Sequence, residues 1–395
     1  MARLMPFPDV VWFQEGPGVR NTQYTTSGVK LLNVANFVDG KVDLATSNRY
    51  ISSEEAYGKY KHFLVDAGDF IVASSGIQVE YFEKKMGFVN ENHLPLCMNT
   101  STIRFKAIDP EVLDIRYFMY YLKTDGFKLQ LGKQITGSAQ LNFGPSHLRK
   151  MVIPLVDIKM QKYIVSVLDK LYLLISLRKI QLAKLDELVK ARFVEMFGDL
   201  VRNPMQWKKE PLGNHIDLLT GFPFDSTGYV ESGVKICGGL IIMPNAINWS
   251  DCKFWPDVIG FENYLLADND IVMALDRPWI SDGFKIAMIS EKDLPSLLIQ
   301  RTARIRAQDM DQLFVYSLLQ DDTFSAHCNI TGSLVPHISH KDIKSYPAIV
   351  PPIELQRNFA SFSRNIKRQK LTIQQSLDKL EVLKKSLMQE YFGGS

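Results

Sequence analysis

Two short motifs contain residue types that could hold a metal ion. Asp157-Ile158-Lys159 has the Asp-x-Lys ending of many metal-dependent nucleases, but no obvious acidic partner stands on an upstream strand. Because the motif stands where a long helix is expected to begin, we interpret it as a solvated helix N-terminus. His337 and His340 are close in a predicted loop and have no third ligand nearby, so this pair suits hydrogen bonding better than metal binding.

Motifs for nucleotides and cofactors are absent from the sequence. It has no GxxxxGK[ST] phosphate loop, no GxGxxG and no HExxH. Asn203-Pro204-Met205 lacks the second proline and the aromatic residue of the motif that holds an extruded adenine for N6-methylation. We therefore predict a non-catalytic protein, a binder or scaffold, with no cofactor or metal of its own.

Cysteine usage and hydropathy indicate the compartment. The four cysteines are far apart and form no CxxC pair, which fits a reducing cytoplasm and offers neither a disulfide framework nor a zinc site. No apolar run is long enough for a signal peptide or a membrane span. We expect a soluble, cytoplasmic protein that does not contact a membrane.

The chain contains two copies of one domain-sized segment. From residue 137 to residue 197 it matches residues 332–392 at a constant offset of 195. Further upstream the match persists with small shifts, for example between residues 67–72 and 267–272. This period is too long for a solenoid, whose repeats run roughly 20 to 50 residues. A duplicated module suggests a protein that touches its target in two places.

Each copy is predicted to consist of a mixed α/β part and a long helix. Short β-branched and aromatic runs at 70–73 and 270–273 are bounded by turn residues, and short helices are expected around 115–124 and 312–320. From about residue 158 to residue 197 there is no proline or glycine, and apolar residues recur every three or four positions. The second copy repeats this stripe between Pro351-Pro352 and Gly393.

The stripe on each long helix must be buried. A helix of this kind is roughly 57 Å long, and sustained heptad spacing favours helix-on-helix packing. We expect the two helices to pair antiparallel. The alternative is that each packs only on its own globular part. The predicted fold class is α+β: two mixed α/β domains joined by two long antiparallel coiled-coil helices, with pseudo-two-fold symmetry. The predicted segments are 1–156 and 199–352 for the domains and 157–198 and 353–395 for the helices.

The two α/β parts differ in charge. Lys and Arg outnumber Asp and Glu by 17 to 15 in residues 1–156, whereas acids outnumber bases by 18 to 13 in residues 201–352. If both parts bind nucleic acid, the second must do so with a local basic patch.

Both copies end with the same series of features. A Thr-Gly-Ser loop at 136–138 or 331–333 is followed by a polar stretch, an apolar strand running into proline, a Gln-containing helix start and a long helix closing on Phe-Gly. This arrangement, over essentially the full length, resembles the specificity (HsdS) subunit of type I restriction–modification systems. The resemblance implies that each α/β part is a target recognition domain that reads one half of a bipartite, asymmetric site in double-stranded DNA.

The resemblance also implies partners. The paired helices would set the gap between the half-sites and dock two methyltransferase (modification) subunits, and motor–endonuclease (restriction) subunits would join them. S-adenosylmethionine, ATP and magnesium are then expected on those partners.

The two modules differ at their beginnings. The second module opens with residues 207–213, and the sequence comparison places residues 11–16 of the first module opposite them. The alternatives are a coiled-coil scaffold with protein-binding globular ends and a modification enzyme with an unrecognised catalytic site.

Candidate DNA contacts lie in the Gly-Ser loops, after matching strands and in lysine pairs. Base edges are read by Arg, Lys, Asn, Gln, Ser and Thr, and phosphates accept any donor. A structural turn is an equally good interpretation of the Gly-Ser loops, and packing on Trp279 is an equally good one for Arg277. The predicted DNA-binding residues are Ser74, Ser75, Lys84, Lys85, Ser138, Gln140 and Asn142 in the first module and Arg277, Trp279, Ser333, His337 and Ser339 in the second.

Other basic residues are weaker candidates. Lys208-Lys209 could contact phosphate, although single lysine pairs on a surface usually have no measurable effect. Arg301, Arg304 and Arg306 lie on a predicted strand, 298–307, and alternation places the last two on one face. We expect at most part of this cluster to form a phosphate-binding ridge.

Overall fold

The computed structural model describes residues 3–134, 142–328 and 336–393, apart from the side chains of residues 79 and 80. Two units can be distinguished: residues 1–179 with 375–395, and residues 180–374. Each unit therefore contains one α/β module and a segment of each long helix. No helix of the described residues is both long and apolar enough to cross a membrane. The four-segment division made from the sequence stays a prediction.

Among its described residues, the first unit has eleven strands before the first long helix, with short 3-10 turns between several of them. Its elements are β1 (Arg3–Pro6), α1 (Phe7–Val10), β2 (Val11–Glu15), β3 (Val29–Leu32), β4 (Phe37–Val38), β5 (Lys41–Val42), β6 (Tyr50–Ile51), α2 (Ser53–Tyr57), β7 (Phe70–Ala73), β8 (Met86–Phe88), β9 (Leu96–Met98), β10 (Thr102–Ala107), α3 (Ile115–Leu122), α4 (Asp125–Gln134), α5 (Pro145–Leu148), β11 (Val152–Leu155) and the first part of α6 (Ile158–Phe197).

The second unit follows a similar order. Its elements, after the end of α6, are β12 (Lys209–Pro211), β13 (Ile216–Thr220), β14 (Val234–Cys237), β15 (Ile242–Met243), β16 (Ala246–Ile247), β17 (Lys253–Trp255), β18 (Ile271–Ala274), β19 (Trp279–Ile280), β20 (Gly283–Phe284), β21 (Ile286–Met288), β22 (Ser296–Leu298), β23 (Thr302–Ala307), α7 (Gln312–Leu319), α8 (Asp322–His327), α9 (His340–Ser345), β24 (Pro347–Ile349) and the first part of α10 (Ile353–Phe392), whose last part belongs to the first unit.

The two modules share one sheet topology. A four-stranded antiparallel sheet has the order β2-β10-β7-β8 in the first and β13-β23-β18-β21 in the second. A three-stranded sheet, β6-β3-β9 or β17-β14-β22, contains one parallel pair in each. The central register is also the same, because Thr102 faces Ala73 and Thr302 faces Ala274. The duplication seen in the sequence is therefore a duplication of fold.

The structure aligns the beginnings of the two modules differently from the sequence comparison. β1 pairs with β11 as β12 pairs with β24. Residues 11–16 correspond to residues 216–221, not to residues 207–213, because β2 and β13 occupy the same sheet position. Gly16 and Gly221 confirm this register: each donates its N–H to the carbonyl of the first residue of β10 or β23. A Cβ on either glycine would lie within about 2 Å of a backbone oxygen.

The arginines predicted to form a phosphate ridge are paired inside the second module. Arg304 is buried, and its Nη2 donates to Asp217 at 2.6 Å. Arg306 Nε donates to Asp270 at 2.5 Å. Arg301 lies in the turn before β23, outside the strand. Because buried charges are stabilised only when they are paired, Arg304 has a structural role and is not available to a ligand. Arg306 is paired with Asp270 but stays partly exposed.

The long helices run antiparallel to each other within each unit. In the first unit the end of α10 shares a core with Ile164 and Leu168 near the start of α6, and Lys179 pairs with Glu381 at 3.2 Å. In the second unit Lys370 pairs with Asp186, and Phe193 contacts Phe359 with ring centroids 5.4 Å apart. Within each unit, residues with higher numbers on α6 contact residues with lower numbers on α10. The antiparallel prediction is confirmed, and the alternative of helices packed only on their own modules is wrong.

Each long helix ends inside the core of one unit. Phe392 is buried beside Tyr117 of α3, with ring centroids 5.0 Å apart. In the second unit Phe197 is buried beside Phe314 of α7, with ring centroids 4.7 Å apart. Gly198, at φ = 80°, ends the helix by adopting the left-handed region that glycine tolerates best. The Phe-Gly signature is thus a buried anchor followed by a helix stop.

A buried glutamine fixes the start of each long helix. Gln161 donates to the carbonyls of Val112 and Val156 and accepts the N–H of Asp114, which caps α3. Gln356 donates to the Pro351 carbonyl and accepts the N–H of Asp311, the cap of α7. Because every polar atom of a buried amide needs a partner, these contacts hold each helix start against its module.

Replacing Phe392 with alanine is expected to destabilise the first unit by about 3–5 kcal/mol, because it leaves a cavity among aromatic rings. Unfolding of the full chain in denaturant, followed by aromatic fluorescence, measures this loss. Val382→Ala on the exposed side of the same helix is the matched control and should change stability by less than about 0.5 kcal/mol. A loss for Phe392→Ala no larger than for the control would contradict the described packing.

Candidate nucleic-acid interface

Two left-handed turns lie side by side at the same place in each unit. After β7 the chain turns at Gly76, with φ = 71°, and after β18 it turns at Arg277, with φ = 46°. A second turn with positive φ precedes β10 at Ser101 and β23 at Arg301. The paired turns form because β7 and β10, or β18 and β23, are neighbours in the sheet.

A segment from the end of each module lies against the first of these turns. The N–H of Phe143 donates to the Ser74 carbonyl at 2.9 Å, and the N–H of Ile338 donates to the Leu275 carbonyl at 2.8 Å. The sequence placed Asn142 and His337 in these two segments. The structure therefore brings the candidate loops of each module together, although they are more than 60 residues apart in the chain.

The side chains at this junction differ between the units. In the first, Asn142 Oδ1 accepts hydrogen bonds from Ser75 Oγ at 2.7 Å and from the Gly76 N–H at 3.0 Å. In the second, His337 Nδ1 lies 2.5 Å from Asp276 Oδ1. One backbone arrangement thus presents neutral polar groups in one unit and charged or titratable groups in the other.

The first cleft lies beside the Gly76 turn and has a volume of about 380 Å³. Its two lysines have internal partners. Lys84 lies 3.6 Å from Asp39, and Lys85 Nζ donates to the Phe37 carbonyl at 2.9 Å. The residues around the first cleft are Phe37, Val38, Asp39, Gly76, Ile77, Gln78, Tyr81, Lys84 and Lys85.

The second cleft lies beside the Arg277 turn of the other unit, overlaps the position of the first cleft at two residues, and has a volume of about 810 Å³. Arg277 stands where the first cleft has Gly76, and Lys285 stands where it has Lys85. Four basic residues line it against two acidic ones, and Asp276 already contacts Arg301 as well as His337. The residues around the second cleft are Tyr229, Ile236, Gly238, Gly239, Leu240, Ile241, Asp251, Lys253, Asp276, Arg277, Lys285, Ile299, Gln300 and Arg301.

The second cleft is a basic patch in a module whose residues are acidic overall. This is the local feature that the charge analysis required if the second module is to bind nucleic acid. A concave surface lined by one sign of charge also concentrates ligands of the opposite sign. The second cleft, with its excess of basic residues, therefore suits an anionic ligand.

Several predicted DNA-binding residues have roles in the fold. Ser74 is buried, and Trp279 stacks on Phe284 at 4.8 Å rather than on Arg277. Ser339 caps α9 by exchanging hydrogen bonds with Asp342. Contact of these residues with DNA stays a prediction. Three further predicted residues, Ser138, Gln140 and Ser333, lie outside the described residues.

Other candidates are also held by partners. Lys208 lies 2.6 Å from Glu210, and Lys209 donates to the Leu200 carbonyl. His340 begins α9 instead of standing in a loop, and its Nε2 lies 2.5 Å from Thr220 Oγ1. Asp157 accepts the N–H of Met160, as expected for a helix N-terminus. Within the described residues no cluster of three or more metal-ligating side chains occurs.

Sequence reasoning missed most of the second cleft, including its two lysines. Lys285 lines it with Lys253 and with Leu240, whose side chain is 93% exposed. The repeat carried a signal for Lys285, because Lys85 occupies the corresponding position two hundred residues earlier. Lys253 also has a basic counterpart, because it lies opposite Ile236 of β14 as Arg49 lies opposite Leu31 of β3.

Comparisons with known proteins give a consistent result. A sequence model of the type I restriction modification DNA specificity domain matches residues 21–187. The chain is 36% identical over 146 residues to the type I restriction enzyme EcoAI specificity subunit of Escherichia coli, which is 36% of this chain and 25% of that protein. It is 22% identical over 347 residues to the MjaVIII specificity subunit of Methanocaldococcus jannaschii, 83% of this chain and 79% of that protein. The E. coli match thus spans a quarter of that relative's length.

Two solved structures share the fold. The type I restriction–modification S subunit from M. genitalium superimposes with a TM-score of 0.58 at 14% identity, over 99% of this chain and 96% of that one. A second match is a chain from a structure concerned with complex assembly and conformational transition of the type I R–M system. It superimposes with a TM-score of 0.54 at 15% identity, over 98% of this chain and 96% of that one. At these identities the likeness concerns the fold.

Replacing Asn142 with alanine removes two hydrogen bonds at the junction of the first unit. We expect a loss of about 1 kcal/mol in the free energy of unfolding, since each net hydrogen bond contributes about 0.5–1.5 kcal/mol and these are exposed. Asn142→Asp is the matched control, because both partners are donors and a carboxylate oxygen accepts from them equally well. Equal losses for the two variants, measured by denaturant unfolding, would contradict this role.

Proposed function

Because this chain belongs to the family of type I restriction–modification specificity subunits, we propose that it is the DNA sequence-specificity subunit of such an enzyme. Each α/β module is a target recognition domain that reads one half of a bipartite, asymmetric site in double-stranded DNA. The protein itself is non-catalytic and acts in the cytoplasm.

One observation carries this proposal: the two modules have the same backbone and unlike clefts. Gly76 and Asn142 in the first correspond to Arg277 and His337 in the second. Sequence is read by hydrogen bonds to base edges, so a constant scaffold with different donors and acceptors reads different bases. The two half-sites should therefore differ, and the full site should not be a palindrome.

The long helices support the same function. Antiparallel packing of α6 with α10 holds them as a pair in each unit, and in the proposed enzyme this pair sets the gap between the half-sites. Leu173, Leu174 and Leu177 are each about half exposed on α6, and exposed apolar surface of this kind is typical of protein interfaces. We assign this face to a methyltransferase subunit.

Catalysis belongs to the partners in this proposal. Two methyltransferase subunits supply S-adenosylmethionine chemistry, and motor–endonuclease subunits supply ATP and magnesium chemistry. The alternative of a coiled-coil scaffold with protein-binding ends is not favoured. Its best support was the acidity of the second module, and a basic cleft opens in that same module.

Deleting this chain should abolish N6-methyladenine in one interrupted, asymmetric motif of the host genome. Co-expression with the adjacent methyltransferase gene in a host that lacks such a system should restore that motif. Methylation mapping by single-molecule sequencing provides the measurement. A methylation pattern that does not change on deletion would overturn the proposal and favour the scaffold function instead.

Arg277→Gly should alter the half-motif read by the second module and leave the other half unchanged. Glycine tolerates the left-handed turn at this position, as Gly76 does in the first module, so the variant keeps its fold while losing the guanidinium. Asn142→Ala should have the reciprocal effect on the first half. Methylation maps of both variants test this, and Asn269→Gly, a change at another left-handed position away from the cleft residues, is the control. A change in both halves from either variant would contradict the assignment.

A further inference from the structure

Lys85 and Lys285 occupy the same position in the two modules. The carbonyl of Lys85 accepts the N–H of Ala73 at 2.8 Å, and the carbonyl of Lys285 accepts the N–H of Ala274 at 3.0 Å. Each lysine follows the turn of its unit and lines the cleft of that unit. Any difference between them therefore comes from their surroundings and not from the fold.

The surroundings of the two ammonium groups differ. Lys85 Nζ donates to the Phe37 carbonyl at 2.9 Å, so its charge has an acceptor within the protein. Lys285 is 94% buried, and among the described residues its ammonium group has neither a hydrogen bond nor an ion pair. Burial lowers the pKa of Lys285 from its ordinary value. A buried charge without a partner is costly unless a ligand supplies one.

The residues around Lys285 are suited to an anion. Arg277, Arg301 and Lys253 line the same cleft. Of its two acidic residues, Asp276 already contacts Arg301 and His337, and Asp251 is the other. Arg277 is held in a backbone region that costs an ordinary residue about 1–3 kcal/mol, and such strain is concentrated at functional sites. The cleft thus combines a largely buried lysine, which has no partner among the described residues, with two guanidinium groups, one of which already contacts Asp276, in a cavity of about 810 Å³.

We propose that the second cleft binds a phosphate group of the DNA backbone through Lys285, and that the first cleft has no equivalent contact. This inference rests on the proposed function and adds an asymmetry to it. The lysine ammonium is a compact point charge that suits a phosphate oxygen, whereas the fork of an arginine suits a guanine edge. Lys285 therefore anchors the backbone, and the neighbouring arginines are left for the bases.

Lys285→Met tests the proposal in the full chain co-purified with its methyltransferase partner. The probe is a duplex carrying the motif found by methylation mapping, and its affinity is measured over a range of salt concentrations. Loss of one phosphate contact should weaken binding uniformly and reduce the slope of log K against log salt by about 0.9. The methylated motif itself should stay the same, because a phosphate contact carries no sequence information.

Lys85→Met is the matched control. One variant should change the salt dependence of DNA binding, and the other should change the stability of the protein. Lys85→Met should leave the salt slope unchanged and lower the stability of the first unit, because it removes an internal hydrogen bond. Lys285→Met should lower the salt slope without lowering stability, because Lys285 has no hydrogen-bond or ion-pair partner among the described residues. Both variants replace a lysine with methionine at the same repeat position. A difference between their effects therefore comes from the residues that surround each lysine.

Four outcomes would overturn the inference. An unchanged salt slope in Lys285→Met, with specific binding retained, would remove the phosphate contact and leave the proposed function intact. A relaxed base preference at one motif position would assign Lys285 to a base. Stabilisation of the wild type by inorganic phosphate, lost in Lys285→Met while DNA affinity is unaffected, would assign the cleft to a free anion. Failure of the wild type to bind any duplex would overturn this inference and the proposed function together.

Discussion

Burial of the two helix ends is the constraint on which the rest of the structure depends. Phe392, almost at the end of the sequence, completes an aromatic cluster with Tyr117 and Tyr121 of the first module. In the second unit Phe197 packs between Phe314 and Phe359. Neither core is complete from its own module alone, so the first unit closes only when the last helix returns to it. The antiparallel course of the helices follows from this requirement.

A rigid frame allows the recognition loops to vary. Gln161 and Gln356 tie each helix start to the cap of a short helix, and Arg104 and Arg304 are paired within the sheets. These buried polar contacts leave little freedom in the strands that carry the turns. Residues at the turns, such as Gly76 and Arg277, can then differ in chemistry without changing the backbone that presents them. Specificity can change in one module while the other stays as it is.

Periodicity predicted the long helices and their pairing correctly because a helix with one apolar stripe must bury it. The two short helices expected around 115–124 and 312–320 are α3 and α7, which end within two residues of those bounds and start at aspartate caps. The arginines of β23 show where such reasoning failed. Alternation placed Arg304 and Arg306 on one face, as observed, but Asp217 and Asp270, which pair with them, are 87 and 36 residues away in the sequence. A local pattern contains no information about such partners.

The sequence by itself determined that the protein has two copies of one module, a long amphipathic helix after each, and loops of unlike composition. These features are local or repetitive, and the chain's own spacing expresses them. Tertiary structure alone decided which charges are free to meet a ligand. Lys85 and Lys285 are the same residue at the same repeat position, yet one donates to a carbonyl and the other lines a cleft with no partner in the part of the chain that the structure describes. The physical reason is that the solvation and pairing of a charge depend on every group packed around it, and folding brings those groups from distant parts of the chain.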